Sequence, residues 1–112
     1  MRQRDRQRAV RVLDLMLQFF GPHGENWLQG AEYDEQGRRC LVGALRHIER
    51  QHRINTGAAQ DVIEAAIGDA PSFAFFNDCY CRSFTELRAI ILKVHAAVAE
   101  SRKPEHPKRL AA

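Results

Sequence analysis

The sequence predicts a mainly α-helical domain of about four helices around one core, with a small β-hairpin or extended loop between the first two. Three observations carry this expectation. Apolar residues recur at helical spacing in four separate stretches. Glycine, proline, asparagine or serine stands at the ends of those stretches, where helices start and stop. Only the segment 27–40 reads by two-residue parity instead.

The first helix is expected over about Asp5 to Phe20. Val10, Leu13, Leu17 and Phe20 repeat at helical spacing, and Val12, Met16 and Phe19 widen the apolar stripe. Gly21-Pro22 ends it, because glycine supplies a left-handed cap and proline cannot continue the helix. In "WLQGAEYDEQGRRC", Trp27, Ala31 and Tyr33 share one parity and "DEQG" reads as a turn with Gly37 at positive φ. A hairpin over roughly 28–33 and 37–40 follows, with an irregular loop as the competitor.

The second helix should start near Cys40 or Leu41 and reach about His52, with Leu41, Ala44, Leu45 and Ile48 inward. Gly43 within it costs about 1 kcal/mol against alanine, so close approach of another backbone is the better reason for it. Asn55-Thr56-Gly57 provides the break and the next N-cap. A third helix is expected over about 57–68, with Ala59, Val62, Ile63, Ala66 and Ile67 apolar. The aromatic link 68–82 reads as extended. Ser83-Phe84-Thr85-Glu86 fits a capping box, and Phe84, Leu87, Ile91, Val94 and Val98 form the core stripe of the last helix. The first and last helices, the longest and most apolar, should form the centre.

A chain of 112 residues with 45% apolar and 28% charged content is one ordinary globular domain by size. Residues 1–101 are expected as that domain, with 1–8 a basic arm and 102–112 a basic, flexible tail. No apolar run approaches the ~20 residues of a membrane span, and the start lacks a signal-peptide pattern. A cytoplasmic protein without membrane contact is the expectation. Three cysteines in a reducing compartment argue against a disulfide framework. The net charge of +3 hides an asymmetry. Residues 1–11 hold five arginines against one aspartate, and 102–112 hold four basic residues against one glutamate. The residues between hold eight basic against twelve acidic. The basic ends could touch nucleic acid weakly, while the body itself offers no basic groove.

Cys40 is the first candidate site. A thiol at a helix N-terminus, beside Arg38 and Arg39, is favoured as thiolate, and a nucleophile needs a base. His47 lies about 10 Å further along the same helix, so His23 or His95 would have to arrive through the fold, with Asn77 or Asp78 orienting. The plainer reading makes Cys40 a small apolar residue where loop meets helix. Cys79-Tyr80-Cys81 is too tightly spaced for a usual zinc pair, and no metal or cofactor is expected. Trp27, Phe73, Phe75, Phe76 and Tyr80 are candidate binding residues. In an extended link Phe73 and Phe75 point one way and Phe76 the other, so they either plug into the core or form a partner patch.

Taken together, "WLQG", "GRRCLVGAL" and "FND" in this order resemble a family of small bacterial and phage proteins without an established activity. The likeness runs from about Leu13 to Val94. It implies a compact, mostly helical domain and groups Cys40, Gly43 and Asn77 into one unit. It implies no mechanism.

Three functions remain open at this level. The first is a non-catalytic interaction or accessory module that binds a protein partner or a second copy. The second is a cysteine-dependent enzyme using Cys40. The third is weak nucleic-acid association through the basic ends. The missing catalytic constellation favours the first.

Overall fold

The structure is a computed structural model that describes residues 1–68 and 72–101. Helix α1 spans Gln3–Phe20, α2 Leu41–His52, α3 Gly57–Ile67, α4 Phe73–Phe75 and α5 Phe84–Ser101. α4 runs straight into a π-helical turn over Phe76–Tyr80. The mainly α class and the four long helices are as the periodicity requires.

α1 is the centre. It packs against α5, α3 and α2, and α3 closes on α5. Its inward stripe, Ala9, Val12, Leu13, Met16 and Phe20, is fully buried. Gly21 ends it at φ +81, with its amide on Leu17 O at 3.1 Å. The stripe of α5, from Phe84 through Leu87, Ile91 and Val94 to Val98, is buried as well. Each of these side chains larger than alanine gains roughly 1.5–3 kcal/mol on leaving water, which is why the 3.6-residue pattern dictates the packing.

The helix starts show how far local chemistry was readable. At α5, Ser83 Oγ accepts the Glu86 amide at 3.4 Å, one half of the capping box. The Glu86 carboxylate reaches one residue further back than expected, to the Arg82 amide at 2.7 Å. At α3 the Thr56 side chain makes no cap bond, and Asn55 Oδ1 instead takes the Gly57 amide at 2.7 Å. α1 starts at Gln3, so Arg4, Arg6 and Arg8 sit on a helix. The tail expected at 102–112 lies outside the described residues.

Two expectations change. Between α1 and α2 the extended loop forms and the hairpin does not. Among the described residues there is no strand ladder, only single bridges from Arg39 to Trp27 and to Tyr33. The 38–40 backbone lies between two segments. The Arg39 amide donates to Asn26 O at 2.8 Å and its carbonyl accepts from Leu28 N at 3.0 Å, while Cys40 N donates to Glu32 O at 3.2 Å. Gly30, at φ +88, turns the chain between those contacts and prevents a continuous ladder. The "DEQG" turn does form. Asp34 Oδ1 accepts the Gln36 and Arg38 amides, and the Arg38 guanidinium closes on Oδ2 at 2.6 Å.

The second change is the aromatic link, which is helical over 73–80. Ser72 Oγ caps it through the Phe75 amide at 3.1 Å. Helical spacing sends Phe73 and Phe76 inward together and leaves Phe75 and Tyr80 outside, which an extended chain could not do.

Candidate functional site

The side chain of Asn77 joins three parts of the chain. It is fully buried. Its Oδ1 accepts the Trp27 indole N–H at 2.8 Å and the Leu41 amide, the first of α2, at 3.2 Å. Its Nδ2 donates to Leu28 O at 3.0 Å and to Asp78 Oδ1 at 2.9 Å. All four hydrogen-bonding positions of the amide are used, as burial demands. The neighbouring Asp78 Oδ1 also takes the Gly30 amide at 2.9 Å.

The π-helical turn serves the same junction. Widening the helix there lets Cys81 N reach Phe76 O at 3.0 Å and leaves the carbonyls of Asn77 and Cys81 aimed at the 26–30 loop. Gln29 Nε2 donates to both, at 2.8 and 2.9 Å. Such turns are often found at functional sites. Gln29 and Leu28 were missed as participants. The signal was present, since Gln29 stands in the quoted "WLQG", but nothing in sequence spacing connects it to residues 48 positions away.

Cys40 is the N-cap of α2. It is buried, and its Sγ accepts the Gly43 amide at 3.4 Å. Gly43 has the role its cost suggested. A Cβ there would stand 2.2 Å from Glu32 O, so only glycine lets the 26–40 loop lie against the helix. A cavity of about 290 Å³ opens beside this contact, with Cys40, Asp78, Glu32 and Arg46 in its wall. Arg46 is tied to the Glu32 carboxylate at 3.1 Å.

The histidines stand elsewhere. His95 Nε2 lies 2.8 Å from Asp14 Oδ1, an ion-pair distance without hydrogen-bond geometry. His47 packs on the Phe19 ring, and burial followed by the charge of Arg39 pushes its pKa below the ordinary histidine value. The backbone amide of His23 donates to Glu25 in the turn after α1. None of the four histidines among the described residues hydrogen-bonds Cys40. Asn77 and Asp78 are brought to the Cys40 end of α2, whereas His23 and His95 make their contacts at other places.

Cys79 and Cys81 do not share a face. Cys79 is exposed and Cys81 is buried, and desolvation, with a smaller push from the Glu86 charge, raises the Cys81 thiol to about 11. No group of three or more metal-ligating side chains occurs among the described residues.

Trp27 is partly buried, fixed by Asn77 at its N–H and by Phe84 at its ring, centroid to centroid 5.9 Å. Phe73 and Phe76 belong to the core. Phe75 and Tyr80 are 42% and 49% exposed and meet edge to face at 5.4 Å. A larger apolar groove of about 610 Å³ lies between α3 and α5, over Val62, Ile90 and Val94, away from the junction and with no cysteine or histidine in its wall.

No helix among the described residues is long and apolar enough to cross a membrane. No curated protein and no solved structure matches the chain. A family profile matches residues 4–97, which take in most of α1, the junction and most of α5. The chain therefore belongs to DUF6197, a family of unknown function.

Proposed function

We propose that this chain is a small, non-catalytic interaction module of the cytoplasm, built as one domain over residues 1–101 with a basic tail. One observation carries the reading. Phe75 and Tyr80 are held outward as an edge-to-face pair on a turn whose own carbonyls and central amide are tied down. Large aromatics presented rigidly to solvent lose little entropy on docking and supply most of the energy of protein interfaces. The partner is a protein surface or a second copy of the chain.

The test compares the wild type with Phe75→Ser/Tyr80→Ser by sedimentation over a concentration series and by capture of binding partners. The double variant should keep its melting temperature and lose the association. A wild type that stays monomeric and captures no partner sinks the reading, as does a variant that associates equally well.

A second reading, a Cys40-dependent enzyme, has one observation in its favour, the shared cavity of Cys40 and Asp78. It requires a native Cys40 that reacts faster with iodoacetamide than the exposed Cys79. Labelling of Cys40 only after denaturation would remove it.

A further inference from the structure

Up to residue 11, α1 carries four arginines and no lysine, and a fifth, Arg2, is its N-cap. Because α1 begins at Gln3, these side chains have fixed directions. Ala9, Val12 and Leu13 face the core. Arg4, Arg8 and Arg11 stand at i, i+4 and i+7 on the other side, a row rising ~6 Å and then ~4.5 Å along the axis. Gln7 lies beside them and is exposed, as are Arg4 and Arg11.

This row is poorly neutralised. Arg8 has a loose, exposed contact with Asp5 at 3.8 Å, and Arg4 and Arg11 have no ion pair among the described residues. Like charges at i and i+4 oppose the helix, and cations near a helix N-terminus oppose its dipole. The arrangement works against the local stability of α1, which is characteristic of a surface kept for binding.

We propose that the outer face of α1 over Arg4, Gln7, Arg8 and Arg11 binds the phosphate backbone of a nucleic-acid duplex without reading its sequence. Arginine is the side chain suited to this, since its planar fork meets phosphate oxygens in pairs. Exposed glutamine beside it adds neutral donors to phosphate and sugar. The face carries no aromatic and no exposed aliphatic residue over these turns, whereas a helix that lies in a bilayer surface needs an apolar side to bury. The acidic excess of residues 12–101 confines attraction to the basic parts of the chain and orients the approach.

The test is fluorescence anisotropy with a labelled 20-base-pair duplex of arbitrary sequence, using the full chain, across a salt series. Arg4→Gln/Arg8→Gln/Arg11→Gln should bind roughly tenfold or more weakly at low salt, and its log–log salt slope should be shallower by ~2.7, the value for three lost phosphate contacts. Arg4→Lys/Arg8→Lys/Arg11→Lys should keep most of the slope, because it keeps the charge. Thermal melts establish that each variant is folded. An unchanged slope in the glutamine variant overturns the proposal. So does a wild type that leaves the duplex unbound, or that binds polyglutamate or phosphatidylserine vesicles as tightly as the duplex.

Discussion

The helical body and the junction around Asn77 are held together by different physics. In the body, α1, α3 and α5 bury aliphatic stripes against one another, and the stabilisation is spread over many interchangeable contacts. In the junction, loop 26–40, the start of α2 and the 76–81 turn are joined through one amide and one glutamine. Spread stabilisation degrades gradually when an atom is removed. Stabilisation through a single buried polar group does not, because each lost bond strands its partner.

The sharpest test of that contrast is Asn77→Leu. It leaves the Trp27 N–H, the Leu41 N–H and the Leu28 carbonyl without partners, and we expect a loss of about 4 kcal/mol in urea unfolding. Asn77→Asp keeps both acceptor contacts, loses the donor to Leu28 O and sets a charge beside Asp78, so it should fall between wild type and Asn77→Leu. In the body, Leu13→Ala should cost about 3 kcal/mol although it removes three carbon atoms. If Asn77→Leu costs less than Leu13→Ala, the contrast fails.

Gly43→Ala comes next. The added methyl meets a carbonyl rather than a flexible side chain, so loop and helix must separate, at about 2 kcal/mol by the same measurement. A smaller effect concerns pH. Burial holds the Cys81 thiol at about 11 in the folded state against an ordinary value of 9.0, so the unfolded chain ionises first. Stability should be unaffected by this group below pH about 9 and should fall as pH rises from there through about 11. Cys81→Ala should flatten that stretch of the stability profile. Smallest of all, Phe75→Ser should change stability by less than about 0.5 kcal/mol, since the ring is largely outside the core.

What the sequence made legible follows the same division. The long helices could be read because burying one face of a helix imposes a spacing that recurs every turn: the stripe of α5 is the one expected, while in α1 the buried face is shifted to Ala9, Val12, Leu13, Met16 and Phe20, leaving the expected Val10, Leu17 and Phe19 half-buried. Gly43 could be read because its helix cost needed a reason. The junction could not. A π-helical turn has no repeating apolar signature, so Phe73 to Tyr80 looked extended. The donors that meet Asn77 come from 36 and 50 residues earlier, and no local rule links them. Asn77 stood in view within "FND", yet its role depends on geometry that only the assembled helices provide. The same holds for His95, which meets Asp14 across two helices.

Those separations have a consequence in time. The hydrogen bonds of Asn77 close loops of 36 to 50 residues. They need three segments in place at once with directional geometry, whereas the apolar stripes of α1 and α5, although further apart in sequence, associate through many non-directional contacts. The junction should therefore lock after the rate-limiting step of folding. In stopped-flow experiments Asn77→Leu would leave the refolding rate near that of the wild type and accelerate unfolding, a φ-value close to zero, whereas Leu13→Ala would slow refolding. Asn77 would then act as a latch that determines how long the assembled molecule stays closed, and has little influence on how quickly it gets there.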